Sequence, residues 1–382
     1  MFDNFVNFAR DLYSTTDLIP LHAPQFQGNE KEYILETINS TFVSSVGEFV
    51  DKFENSVVDY TGIKYAIATV NGTAALHLAL KLSGVEKNTE VITQSLTFVA
   101  TCNAIRYCDA TPVFVDIEKS TLGLSPHSLL EFLEENSELR DDGYSWNKFT
   151  NRKIIACVPM HTCGSPVRLN EISQICSRFN LELIEDAAES LGSRYKEVHT
   201  GSVGKISAMS FNGNKIITTG GGGMLLTNDE DLAIKAKHIS TTARISNTLR
   251  IKHDQLGYNY RLPNLNAALG VAQMESLSCF LESKRLIAKK YQEWGRSNDL
   301  VFFKEPVNTF SNYWLNIAIM ENKNNRDLFL KITNDSNVMT RPLWTPMHKL
   351  LMYKNCQRTN MKTTEWLYSR AVNVPSSPIL TN

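Results

Sequence analysis

Residues 210–224 read SFNGNKIITTGGGGM, which places Lys215 five residues after Ser210 and separates it by four residues from four consecutive glycines. A lysine amine attacks a carbonyl only when it is deprotonated. Its ordinary pKa of about 10.4 must then be lowered by burial or by nearby positive charge. Such a side chain needs backbone packed close behind it, and glycine allows both close approach and the positive φ of a tight turn. A flexible linker is disfavoured, because KIITT and MLLT enclose the run with apolar and β-branched residues, where linkers continue as Gly and Ser. A Walker phosphate loop is excluded: its nearest approach, HTGSVGKIS (199–207), has His199 in place of the first glycine and Ile206 after the lysine. On this segment alone, a surface lysine in a hairpin loop stands level with a reactive one.

Two further stretches carry chemistry. VNGTAAL sets Asn71, Gly72 and Thr73 at a predicted helix start, where free N–H groups and the helix dipole favour an anion. A plain N-cap fits the same residues. LIEDAAES ends a predicted strand with Asp186. A buried carboxylate there needs a cationic partner, such as a protonated pyridine nitrogen, although a cap before Ala187 is the alternative.

The elements that must position these residues alternate. KYAIATV (64–70), EVITQ (90–94), PVFVDI (112–117), KIIACVP (153–159) and LELIED (181–186) read as buried strands. GTAALHLALKLSG (72–84) and segments near 97–107, 125–136 and 169–180 read as helices. This order predicts an α/β fold with a mostly parallel sheet covered on both faces. Ligands gather at the carboxyl ends of such strands, which directs attention to Asn71–Thr73, Asp116, His161 and Asp186. KISAMSF and GGMLLTN are further strand candidates, and DEDLAIKAKHISTTA (229–243) is a connecting helix. RDDGYSWNKFTNR (140–152) is polar and reads as a surface insertion. Residues 1–250 are expected to form the large domain, and residues 251–382 a smaller α+β domain with strands or helix from VFFKE, YWLNIAIM and RDLFLKITN.

Composition sets the class. With 382 residues, 42% hydrophobic and 21% charged, the chain can bury a large core without disulfide or metal staples. A formal net charge of −1, with both signs interleaved, argues against nucleic-acid binding. No apolar run reaches the roughly 18–20 residues of a membrane span. MFDNFVNFARDLY lacks the basic-then-apolar order of a signal peptide. Seven scattered cysteines without a C-x-x-C pair suit free thiols in a reducing, cytoplasmic setting, and no metal site is expected.

Taken together, IPLHAPQFQGNEKEY, GEFVDKFE, NGTAAL, TFVAT, HTCG, EDAAESLGS, SFNGNK, TTGGGGM, GYNYRLPNLNAALGVAQ and RPLWTPMHK resemble the pyridoxal-phosphate-dependent nucleotide-sugar aminotransferases of the DegT/DnrJ/EryC/StrS type. The resemblance covers nearly the whole chain. It implies fold type I, aspartate-aminotransferase-like, with a mostly parallel seven-stranded sheet in the large domain. It implies that Lys215 joins the cofactor as a Schiff base and carries protons. Asp186 would pair with the pyridine nitrogen, Phe98 would stack on the ring, and Gly72, Thr73 and Ser210 would hold the phosphate. Asn259 would reach that phosphate from a neighbouring subunit, making a homodimer the active unit. Glu189 falls beside the ring hydroxyl, where many relatives carry glutamine, and Asn212 falls where many have an aromatic residue or histidine. His161, Asn212, Arg341 and His348 are the candidates for substrate contact.

The implied reaction moves the amino group of L-glutamate, by way of pyridoxamine 5'-phosphate, to a keto sugar. STFVSSVGEFV, QSLTFVAT and PMHTCGSP are most similar to the legionaminic-acid branch. That implies amination at C4 of a nucleotide-linked 4-keto-6-deoxy-2-acetamido sugar, on UDP first and GDP second, for surface glycans such as lipopolysaccharide O-antigen. A 3-keto acceptor is the rival within the family, and a non-catalytic sensory or scaffold protein is the rival outside it. A sugar dehydratase on the same fold would carry histidine at the Lys215 position.

Overall fold

The computed structural model describes residues 2–245 and 250–380. Three helices come first: α1 (Phe2–Tyr13), α2 (Glu30–Ser40) and α3 (Glu48–Thr61). Strands and helices then alternate: β1 (Tyr65–Thr69), α4 (Gly72–Leu82), β2 (Glu90–Gln94), α5 (Val99–Tyr107), β3 (Thr111–Val115) and α6 (Pro126–Asn136). A hairpin of β4 (Ser137–Leu139) and β5 (Ser145–Asn147) leads into β6 (Arg152–Val158), α7 (Leu169–Arg178) and β7 (Glu182–Asp186). After the short β8 (Arg194–Tyr195) and β9 (Val198–His199) come β10 (Ile206–Ser210), β11 (Gly223–Thr227) and α8 (Glu230–Ser240).

The main sheet follows the order β1-β11-β10-β7-β6-β2-β3. Its pairs from β10 to β3 are parallel, and β11 is antiparallel to both of its neighbours. The parallel strands are covered on both faces, which is why they read as continuous apolar runs. Ile67, Val91, Ile184 and Leu225 face α4, α5 and α8 through Leu78, Leu80, Ile105 and Ala236. The opposite face packs Ile92, Val113, Ile154 and Leu183 on Leu129, Leu133 and Ile172 of α6 and α7. Residues 140–152, expected as an insertion between elements, include β5 and the first residue of β6. The β4–β5 hairpin pairs antiparallel with β6 and widens the sheet to nine strands.

The last third starts with α9 (Asn264–Glu275) and α10 (Leu277–Ser297). It continues through β12 (Val301–Phe302), β13 (Thr309–Phe310), β14 (Asn316–Ile319), α11 (Lys323–Asp335), β15 (Arg341–Pro342), α12 (Lys362–Tyr368) and β16 (Ala371–Val374). Strands β12-β14-β16-β15 form an antiparallel sheet. Packing crosses the 250/251 division expected from sequence in several places. Ala267 and Ala268 of α9 join Phe49 and Phe53 of α3 under β1 and β11. Phe5, Val6 and Ala9 of α1 join Tyr291, Phe302, Phe329 and Val374 around the smaller sheet. Its other side, through Ile317, Leu343 and Ala371, meets Leu96, Ile117, Leu122 and Cys163 from loops of the main sheet. Among the described residues, no helix is long and apolar enough to cross a membrane.

Candidate active site

A cavity of about 320 Å³ opens at the carboxyl ends of the parallel strands. Its floor is built by the β10–β11 connection. Phe211 N–H donates to Gly222 O at 2.9 Å and Thr219 N–H donates to Phe211 O at 3.0 Å, closing a loop that carries Lys215. The glycine run makes this closure possible. Gly220 has φ +78°, and a Cβ on Gly223 would stand 2.4 Å from the backbone carbon of Asn71. The start of β11 therefore lies directly against the entry to α4.

At that entry the Asn71 side chain accepts the Ala74 N–H at 2.8 Å. The Gly72 and Thr73 N–H groups belong to the first turn, where no intrahelical acceptor exists, and both residues line the cavity with Ser210. Gly72 is as constrained as Gly223, since a Cβ there would meet Ser210 Cβ at 2.8 Å.

Lys215 Nζ lies 3.4 Å from Glu189 Oε1 and 4.1 Å from the centre of the Trp314 ring. Trp314 is fixed by its Nε1–H, which donates to Asn214 O at 2.7 Å. Asp186 projects from the end of β7 on the α5 side, where Thr101 Oγ1 donates to Oδ2 at 2.7 Å and Ala188 N–H donates to Oδ1 at 3.2 Å. Burial raises the Asp186 carboxyl above the usual range against these two donors and the charge of Lys215. Burial likewise pushes Glu189 up to about 7, although Lys215 and the Cys163 N–H pull it down. Phe98 stands half-exposed at the mouth, its ring 6.5 Å from that of Trp344 and inclined to it at 64°. Asn212 lines the same cavity and donates through Nδ2 to Asn214 Oδ1 at 3.2 Å.

The cavity thus gathers Gly72, Thr73, Phe98, Asp186, Glu189, Ser210, Asn212 and Lys215 from four separate stretches of sequence. It does not gather His161, Arg341 or His348, the other residues expected to contact a substrate. His161 is fully buried behind the sheet, with Nε2 3.0 Å from Glu185 Oε2 and Nδ1 accepting the Val167 N–H. Adjacent strand residues point to opposite faces, so Glu185 and its histidine partner lie away from the Asp186 side. His348 is tied to Ser95 Oγ at 2.7 Å and Glu365 Oε1 at 2.9 Å. Arg341 is exposed on β15, donating to Asn334 Oδ1 and Thr340 O. Asn259 lies outside the cavity of its own chain, in an isolated bridge with Thr241. Asp116 caps α12 instead of facing a ligand: its carboxylate accepts the N–H groups of Thr363 and Thr364.

Sequence reasoning did not single out Trp314, Trp344, Asn214 or Thr101 as cavity residues. Thr101 sits one helical turn into α5, at the end of the quoted TFVAT, where its spacing from Phe98 was the available signal. The tryptophans come from the C-terminal third; Trp344 lies within the quoted RPLWTPMHK, and nothing local marks Trp314.

Comparison with known proteins bears on this geometry. The family model described as the DegT/DnrJ/EryC1/StrS aminotransferase family matches residues 24–382. GDP-perosamine synthase of Escherichia coli O157:H7 is 37% identical over 366 residues, covering 95% of this chain and 94% of that one. GDP-perosamine synthase of Caulobacter vibrioides is 35% identical over 367 residues, with 95% and 94% covered. Among solved structures, Helicobacter pylori PseC, an aminotransferase involved in the biosynthesis of pseudoaminic acid, superposes with a TM-score of 0.84 at 23% identity, covering 94% of each chain. The α/β architecture, built on a large mixed sheet, is that of fold type I.

Proposed function

Because the chain belongs to the DegT/DnrJ/EryC1/StrS aminotransferase family, and is a pyridoxal-phosphate-dependent sugar aminotransferase, we propose that it moves the amino group of L-glutamate to C4 of a nucleotide-linked 4-keto-6-deoxy sugar. The observation that carries this reading is Lys215 Nζ held in one cavity with a buried, under-bonded Asp186 and the open first turn of α4.

The residues present fit the cofactor. Asp186 has two donors and a raised pKa, which is the electrostatic state that a protonated ring nitrogen would relieve. The N–H groups of Gly72 and Thr73 and the Ser210 hydroxyl would hold the phosphate, with Phe98 over the ring. Pyridoxal 5'-phosphate, when bound, supplies the electron sink through which amino and keto groups are exchanged. Lys215 would hold the cofactor covalently and move a proton at Nζ between substrate and cofactor carbons. Asn212 would face the substrate, and Asn259 of the partner subunit would complete the phosphate site in a homodimer.

The names of the relatives favour GDP as the carrier to test first. UDP with a 2-acetamido sugar, the legionaminic-type reading, rests on the motif resemblance, and a 3-keto acceptor is the third substrate to offer. The test is to load the purified protein with the cofactor, trap it with borohydride and sequence the tagged peptide. The visible spectrum is then followed as L-glutamate and, afterwards, each keto sugar is added. A tag on Lys215, a band lost with glutamate and its recovery with a 4-keto sugar are the expected results. Recovery only with the 3-keto sugar would overturn the C4 assignment. In Lys215→Ala, turnover should fall by at least about 10²–10⁴-fold.

A further inference from the structure

The cavity holds a proton site that the proposed transfer chemistry leaves without a role. Glu189 is buried, and its carboxylate is fixed at both oxygens: Oε1 lies 3.4 Å from Lys215 Nζ, and Oε2 accepts the Cys163 N–H at 2.9 Å. Cys163 reaches this position with φ +51°, in the left-handed region. Asn312 Nδ2 donates to the Glu189 backbone carbonyl at 2.9 Å, so the main chain is held as well. The other cavity carboxylate, Asp186, accepts from Thr101 Oγ1 and the Ala188 N–H.

The titratable groups facing Glu189 are Lys215, Asp186 and the Cys163 thiol. Burial raises the thiol and keeps it neutral, and Asp186 raises Glu189 further. Lys215 is therefore the cation that favours ionised Glu189. Even with that charge present, burial pushes the carboxyl up to about 7.

We propose that Glu189 is the proton acceptor for Lys215, anionic while the lysine is an ammonium and a neutral carboxylic acid once Nζ is bonded to a carbonyl carbon. The proposal rests on Lys215 being the cofactor-bound lysine. The step balances without an oxidant. The ammonium has three protons; two leave with the carbonyl oxygen as water and one passes to Glu189 as the C=N bond forms. Neutral Glu189 then presents one O–H donor and one C=O acceptor. Like a glutamine amide, it offers both a donor and an acceptor. A carboxylate would present acceptors alone.

Infrared difference spectroscopy of the cofactor-free protein tests this directly. The carbonyl stretch of the neutral carboxyl is assigned by its loss in Glu189→Gln and followed against pH. Its midpoint should rise by roughly 1–3 units in Lys215→Ala, the effect of removing an opposite charge at this range. Lys215→Met serves as a second variant should the alanine fail to fold. Loading the wild-type protein with pyridoxal phosphate, at a pH above the unloaded midpoint, should make the same band appear. An unchanged midpoint, or no band after loading while borohydride tags Lys215, overturns the proposal. A tag on a different lysine overturns the assignment of Lys215 and this proposal with it, and the tagged peptide tells that case apart.

Discussion

Glu185 and Asp186 are chain neighbours on one strand, both buried, yet they face opposite electrostatic conditions. Glu185 accepts the N–H groups of Gly201, Val203 and Gly204 at 2.7–2.8 Å and pairs with His161. Burial alone would raise its carboxyl, but His161 and these donors hold it below the usual range. Asp186 has two donors and sits above that range. Strand alternation assigns one carboxylate to each side of the sheet. The fully bonded side is part of the fold, and the under-bonded side is open to a cation. A buried acid identifies a site by the partners it lacks.

The contrast is broken most severely from the saturated side. Glu185→Ala strips His161 and three backbone N–H groups of their acceptor, and should lower unfolding stability by about 3–5 kcal/mol. Urea denaturation across pH checks the cause. A lowered carboxyl contributes stability above its unfolded pKa, and that stability is lost as pH falls through the lower folded value. The variant should therefore lose this part of the acid limb. Asp186 and Glu189 act with the opposite sign: their raised pKa values make ionisation cost the folded state as pH climbs above the unfolded value, for Glu189 up to about 7.

Asp186→Asn sharpens the comparison from the open side. Without cofactor it should be more stable than wild type at alkaline pH, because an ionised group that burial disfavours is gone. Its affinity for pyridoxal phosphate should fall by roughly 10–150-fold, corresponding to the about 1.5–3 kcal/mol of a hydrogen bond to a charged group. Parallel thermal melts and cofactor titration separate the two effects. A loss of stability in the cofactor-free variant would contradict the account of the under-bonded side.

The smallest effect concerns the backbone that holds this side in place. Gly223→Ala would put Cβ 2.4 Å from the Asn71 main chain, an overpacking costing about 1–3 kcal/mol, with weakened phosphate binding. Gly221→Ala meets nothing within 4 Å and should change stability by less than about 0.5 kcal/mol. Denaturation and cofactor affinity of the pair show whether close packing at one glycine, and not flexibility of the run, matters.

Much of this was readable before the structure, for physical reasons that also explain the omissions. Strands buried on both faces produce apolar runs such as EVITQ, and the bounds of β2 match that run. The β4–β5 hairpin is short and polar and leaves no such trace. Helix α10 did have a signal, with Leu277, Phe280, Leu281, Lys284, Ile287, Ala288 and Tyr291 on its buried face at spacings of three and four. His161 shows the limit of reading a site from strand ends, because position at the end of β6 says nothing about what the ring meets across the sheet. Trp314 and Trp344 enter the cavity through packing between distant segments, which no local spacing encodes.

Helix α1 packs its Phe5 against Tyr291 and Phe329, and Arg10 and Tyr13 donate to the carbonyls of Ser336 and Ser377. During synthesis this helix leaves the ribosome long before its partners exist. Its phenylalanines must therefore remain uncovered, or be sheltered by a chaperone, while the main sheet assembles. Docking of α1 closes a loop that spans most of the chain, from Tyr13 to Ser377, and is expected among the later events of folding. A ribosome-stalled chain ending before β14 should leave α1 open to protease while the parallel strands are already protected.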